Sequence, residues 1–194
     1  VCLVGSEMCI RDRNKVILAK TILMPLIKSI SGIRGTIGNR VGEDLTNEDV
    51  ILFTISYIKW LKSVNFSLNH SIVVGRDART SGPMIESLVI QTLTNMGVNV
   101  ISLGLSTTPT VEIAVTEENA DGGIIITASH NPKNWNALKL LNHKGEFISQ
   151  SDGNNILAIA DSKPTIEKNI QKGNVKKIDN YISKHLSLIH ISEP

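Results

Sequence analysis

Gly122-Gly123-Ile124-Ile125-Ile126-Thr127-Ala128-Ser129-His130-Asn131-Pro132 sets a short run of apolar residues directly before a polar turn. Such a β-branched run reads as a strand covered on both faces, and Asn131-Pro132 stops a helix from continuing directly out of it. Ser129 is therefore offered on a sharp turn at the end of a rigid element, the placement of an exposed nucleophile. An alcohol is a weak nucleophile, so covalent chemistry there needs a base, a cation or a phosphate already on the oxygen. Taken alone, a serine in such a turn would as readily satisfy backbone groups.

On either side of this stretch, helical and extended patterns alternate. Residues 46–64 read as a helix: Thr46 can cap it, Asp49 stands three residues on, and Val50, Phe53, Tyr57 and Leu61 fall on one face. Residues 71–75 read as a strand. Ser81-Gly82-Pro83 opens a helix with the stripe Ile85, Leu88, Val89, Thr92 and Met96, which Gly97 closes. A strand over 98–103, a short helix over 109–118 and the strand leading into the serine turn follow. Beyond the turn, residues 137–141 and 146–148 are expected to form a hairpin, and 151–160 a last helix. This is the rhythm of an α/β layer fold.

Residues 127–141, TASHNPKNWNALKLL, resemble the active-serine loop of the α-D-phosphohexomutases, the family of phosphoglucomutase, phosphomannomutase and phosphoglucosamine mutase. SISGIRGTIG (29–38) is similar to the family's amino-terminal arginine motif, and VGRDARTSG (74–82) to the motif joining its first strand to the following helix. The resemblance runs from about Met24 to about His185. It implies an α/β fold, the three-layer mixed-sheet domain I of the phosphohexomutases, and a reaction that interconverts hexose or hexosamine 1- and 6-phosphates through a phosphoserine and a sugar bisphosphate. The wording of the motifs leans toward phosphoglucosamine mutase, with phosphomannomutase or phosphoglucomutase as the alternative.

On the same resemblance Ser129 matches the phosphoserine, Lys139 the lysine near the transferring group, and Arg34 the amino-terminal arginine flanked by Gly32 and Gly35. A planar guanidinium suits a phosphate. His130 could orient the phosphoserine or simply cap backbone, and Lys139 could instead be a strand lysine facing solvent. Mg2+ is implied through a phosphoserine oxygen and an Asp-rich loop of the family's second domain that this sequence does not contain. A single serine oxygen cannot satisfy an octahedral cation, so the chain carries the nucleophile without most of its machinery and is expected not to turn over by itself. Arg76, Asp77, Arg79 and Ser81 suggest a phosphate cradle at a helix start, but the P-loop spacing is missing and a structural role with local pairs is favoured. Trp135 is expected to pack. His70, His143 and His185 show no ligand spacing and are expected at the surface. A serine hydrolase would need a Gly-x-Ser-x-Gly elbow, which is absent.

The ends read differently. Residues 1–13 and 186–194 resemble one sequencing adaptor translated in two directions, which leaves 14–23 as upstream sequence and Met24 as the expected start. The expected organisation is a leader over 1–23, domain I over 24–162, a linker and the start of a second domain over 163–185, and a tail over 186–194. Both cysteines, Cys2 and Cys9, fall in the leader, so disulfides, thiolate metal sites and cysteine nucleophiles are excluded from the rest, as suits a reducing cytoplasm. Glu7 and Asp12 balance Arg11 and Arg13, and setting aside Glu193 moves the net charge only from +2 to +3, which gives no nucleic-acid signature. No apolar stretch approaches the roughly 20 residues that span a bilayer. The expected partner is a phosphosugar, with no membrane or nucleic acid, and no feature marks a particular oligomeric state.

Overall fold

The computed structural model describes residues 26–29, 32–65, 70–167 and 170–191. The expected leader and Met24, together with Ile30, Ser31 and residues 192–194, lie outside the described residues. In chain order the elements are β1 (Ile27–Ser29), β2 (Gly32–Ile37), β3 (Asp44–Leu45), α1 (Asn47–Val64), β4 (Ser71–Arg76), α2 (Gly82–Asn95) and β5 (Asn99–Leu105). Then come α3 (Thr108–Glu117), β6 (Gly122–Ile126), β7 (Trp135–Leu141), α4 (Gln150–Asp161), β8 (Val175–Lys177) and α5 (Tyr181–Ile191).

The strands form one mixed sheet in the order β1-β2-β7-β6-β4-β5-β8, with β3 beside β2. β4 is parallel to β5 and β6, whereas β7 runs antiparallel between β6 and β2. Strand residues alternate between two cores because successive side chains point to opposite faces. Ile72, Val74, Ile124, Ile126, Leu138 and Leu140 pack with α1, α2 and α4. Val73, Ile125 and Leu141 pack with α3 and with Tyr181 of α5. The result is the expected three-layer α/β architecture.

Local chemistry accounts for the element ends. Thr46 accepts from the Asp49 amide at 3.2 Å and its own amide donates to Asp49 Oδ2 at 3.1 Å, a reciprocal cap that starts α1. Val50, Phe53, Tyr57 and Leu61 are all buried, each side chain stabilising the fold by about 1.5–3 kcal/mol. Gly97, with φ +74°, turns the chain out of α2 into β5. Asp44 holds β3 to β2. Hydrogen bonds from Arg40 and then Thr36 draw its carboxyl down to about 2, so its contribution to stability is present above the ordinary aspartate range and is lost as pH falls toward that value.

Three expectations change. The hairpin after β7 shrinks to one bridge between Leu141 and Phe147, because the chain turns away at Ser149, whose hydroxyl accepts the Asp152 amide and starts α4. The basic stretch after Asp161, read as a linker, contributes β8 beside β5. All three β8 residues are exposed and none adds to the core, so composition gave no sign of it; beyond the backbone pairing Lys176 reaches Glu118 at 3.0 Å, and lysines on an edge strand also suit a solvated edge. His70 is 6% exposed rather than on the surface, with Nδ1 3.8 Å from Asp121, and burial pushes its imidazole pKa down.

The fully buried Tyr57 hydroxyl donates to the Leu141 carbonyl at 2.7 Å and fastens α1 to the end of β7. Tyr57→Phe removes this buried bond and is expected to cost about 0.5–1.5 kcal/mol. Urea denaturation checks this: the midpoint should fall with an unchanged slope, and an unmoved midpoint would show that the hydroxyl bond adds no stability.

Candidate functional site

The register of β7 assembles the site. Arg34 of β2 lies opposite Ala137, Ile125 of β6 lies opposite Lys139, and the loop leaving β6 therefore returns over the end of both pairings. Gly32 permits the close approach of β2 to β7: its φ is +120°, and a Cβ there would overlap the Leu138 carbonyl oxygen. Arg34, Ser129, His130 and Lys139 line one cleft of about 210 Å3, with Gly32, Thr127 and Phe147 also in its wall.

Ser129 and His130 are exposed, and Ser129 has φ +54°. A non-glycine residue in the left-handed region costs roughly 1–2 kcal/mol and persists only where its surroundings hold it there. The hold on this loop is dense. The Ser129 amide donates to Thr127 Oγ1 at 3.0 Å, and Thr127 Oγ1 donates to Asp77 Oδ2 at 2.6 Å. Asn131 folds back on the Ala128 carbonyl through both its amide and its side chain. The fully buried Asn136 donates to Ser81 Oγ at 2.9 Å and accepts the Ala137 amide at 2.8 Å, tying β7 to the start of α2.

Arg34 is half-buried, and its Nε is buried with no hydrogen-bond partner among the described residues. Neither Arg34 nor Lys139 forms a carboxylate ion pair among the described residues. Lys139 is held instead with its ammonium 5.5 Å from the centre of the Phe147 ring, a cation–π contact. Two cations without anions beside an exposed hydroxyl make a site electrostatically suited to a phosphoryl group. A metal fits less well. No cluster of three or more His, Cys, Asp or Glu able to hold an ion is found among the described residues, and the Ser129 oxygen alone is not an octahedral donor set. These residues do not by themselves make a Mg2+ site.

The local pairs expected around Arg76 are redistributed. Arg76 pairs with Glu86 at 2.6 Å, while Asp77 accepts from Arg79 Nε at 3.1 Å. Arg79 then reaches across to the serine loop and donates to the carbonyls of Ser129, Asn131, Pro132 and Trp135 at 2.6–3.0 Å. Sequence reasoning missed this, because the acceptors are backbone atoms 50–56 residues away and leave no side-chain signature. Phe147 was missed as well. Trp135 packs as expected, 7% exposed.

Comparisons with known proteins bear on the family and the fold. Residues 26–167 match the family model described as "Phosphoglucomutase/phosphomannomutase, alpha/beta/alpha domain I". A phosphoglucosamine mutase of Nitratiruptor is 34% identical over 167 residues, covering 84% of this chain and 36% of the relative. A phosphomannomutase of Vibrio cholerae is 32% identical over 157 residues, covering 79% of this chain and 34% of the relative. The chain thus spans about a third of the length of these relatives. Among solved structures, a phosphoglucomutase/phosphomannomutase family protein of Burkholderia thailandensis superposes with a TM-score of 0.68 at 21% identity, over 86% of this chain and 36% of that one, a likeness of fold.

Because its Nε is buried without a partner, Arg34 is expected to cost stability while no anion is bound. In phosphate-free buffer, Arg34→Met should raise the unfolding free energy by about 1 kcal/mol. A denaturant titration that instead shows lower stability would mean the guanidinium is already satisfied.

Proposed function

The chain belongs to the phosphoglucomutase/phosphomannomutase family and carries its α/β/α domain I, and from that premise we propose that Ser129 is the phosphoryl carrier of a phosphohexomutase. The observation that supports this best is the partnerless Nε of Arg34 in the wall of the cleft onto which the strained Ser129 opens. In the proposed cycle, phosphorylated Ser129 gives its phosphoryl group to the free hydroxyl of a hexose monophosphate. The Oγ–P bond breaks, a sugar O–P bond forms, and the hydroxyl proton passes on balance to the serine oxygen. The bisphosphate then turns over and returns its other phosphoryl group to Ser129 by the reverse step.

Catalysis of this kind is mainly placement plus charge stabilisation. Arg34 would hold the equatorial oxygens, and Lys139 would neutralise developing charge and carry the proton between donor and acceptor oxygens. His130, exposed at the cleft, would orient the phosphoryl group. No step is assigned to Mg2+ here; the metal would need carboxylates from the part of the relatives' length that this chain does not span. Turnover belongs with that part too, and we assign to this chain alone the phosphoryl-carrying half of the cycle. Residues 163–185 are proposed to lead from domain I into the next.

A hexosamine phosphate is the favoured substrate, in line with the name of the Nitratiruptor relative; a mannose or glucose phosphate is the alternative that the Vibrio cholerae relative represents. The proposed location is the cytoplasm, on the cysteine-free composition of residues 24–185. No helix among the described residues is long and apolar enough to cross a membrane.

Incubation with a hexose 1,6-bisphosphate should add one phosphoryl group to the chain, and peptide mapping by mass spectrometry should place it on Ser129. Ser129→Ala should stay at the unmodified mass. Modification at another residue, or uptake by the alanine variant, would refute the assignment. Lys139→Ala should slow the uptake roughly 100-fold while leaving the donor concentration at half-maximal rate nearly unchanged. A change confined to that concentration would make Lys139 a binding group only.

A further inference from the structure

We propose that Arg79, which lies outside the cleft wall, is a positioning residue for Ser129: it gathers the carbonyl oxygens of the serine loop so that the loop offers the cleft a hydroxyl rather than backbone acceptors. Four carbonyls converge on one guanidinium, at 2.8 Å for Ser129, 2.7 Å for Asn131, 2.6 Å for Pro132 and 3.0 Å for Trp135. Both terminal nitrogens are used, each for two carbonyls. The fifth donor, Nε, binds Asp77, which also accepts the Thr127 hydroxyl. Through Thr127 the same carboxylate reaches the Ser129 amide, so both backbone polar groups of Ser129 are bound to one network.

This arrangement has a chemical consequence. A carbonyl oxygen is a partial negative charge, and several of them turned toward a phosphoryl group would oppose the field of Arg34 and Lys139. Arg79, which lines a separate hollow with Asn131 and Lys133 and not the cleft, binds them instead. It also restrains Ser129 in the left-handed conformation that the residue would otherwise leave. Only a planar fork with donors in fixed directions can serve four carbonyls and a carboxylate together; lysine keeps the charge but not the fork. Arg79 is largely buried, with a side-chain exposure of 12%, so it does not act as a surface cation attracting substrate.

The role of Arg79 depends on Ser129 being the phosphoryl carrier, and the test separates the two. The full chain and its Arg79→Lys variant are incubated with a hexose 1,6-bisphosphate, and uptake on Ser129 is followed by intact mass. The step is Ser129 Oγ–H attacking phosphorus, one sugar O–P bond breaking, and the proton leaving with the sugar hydroxyl. In parallel, amide hydrogen exchange is read over residues 129–135. For Arg79→Lys the expected result is a native circular dichroism spectrum, faster exchange across that loop, and a maximal uptake rate lower by about 100-fold at an unchanged half-saturating donor concentration.

Should Arg79→Lys take up phosphate at the parental rate, or lose only donor affinity, the positioning role is overturned. If Arg79→Lys does not fold, exchange and uptake in Thr127→Val decide instead: faster exchange at Ser129 with slower uptake supports the network, and unchanged values overturn it. If the parent chain takes up no phosphate, the carrier assignment fails, and loop exchange alone decides the role of Arg79: faster over 129–135 in Arg79→Lys supports it, unchanged exchange overturns it.

Discussion

β7 runs antiparallel between β6 and β2, and the cleft exists only in that pairing register. Side chains alternate along a strand, so a slip of one residue would send Lys139 into the core beneath α1 and bring Leu138 or Leu140 toward the cleft. Burial of Leu138, Leu140 and Leu141 opposes the slip, as does the contact of Gly32 with the Leu138 carbonyl, which no larger residue allows. The same stretch that fills both cores thus fixes the position of a cation. Packing and chemistry are set by one register.

The loop beyond β6 carries the opposite balance. Ser129 sits in a backbone conformation that L-residues disfavour, Arg34 Nε has no partner, and Lys139 has an aromatic ring where an ion pair would be more stabilising. Each of these is a local cost that a structure selected for stability alone would remove. At the cleft they stand beside polar groups of Thr127, Asn131 and Asn136 that are satisfied; elsewhere among the described residues Trp60 Nε1 and His70 Nδ1 are also buried without a hydrogen-bond partner, and Asn119, Lys163 and Asn180 share the left-handed conformation. Such a division, with a satisfied frame around an unsatisfied centre, suits a site that gains its missing partners from a phosphorylated ligand.

Most of the frame was legible in the residues. The capped, amphipathic α1, the glycine ending α2 and the apolar run of β6 each declare themselves through short-range chemistry, and the structure follows them closely. Ser129, Arg34 and Lys139 could be singled out only by resemblance, since a serine turn, a Gly-Ile-Arg-Gly stretch and a strand lysine are individually common. What remained hidden depends on backbone atoms or on distance. The carbonyls that Arg79 binds have no side-chain identity, β8 joins the sheet without burying a residue, and the single bridge that brings Phe147 to Lys139 follows from where α4 begins. Asp77 shows the limit well: the sequence suggested a local partner, and the carboxylate does bind Arg79, but the same Oδ2 also accepts the hydroxyl of Thr127, 50 residues on.

Whether three separate elements form one anion site is tested most directly by titrating the 15N-labelled chain with inorganic phosphate and following amide shifts by NMR. Shifts at Arg34, at Ser129 and His130, and at Lys139, all saturating with a single dissociation constant, are the predicted result. Shifts confined to the segment from Arg76 to Gly82, or absent from the cleft altogether, would place the anion at a helix start and contradict the site described.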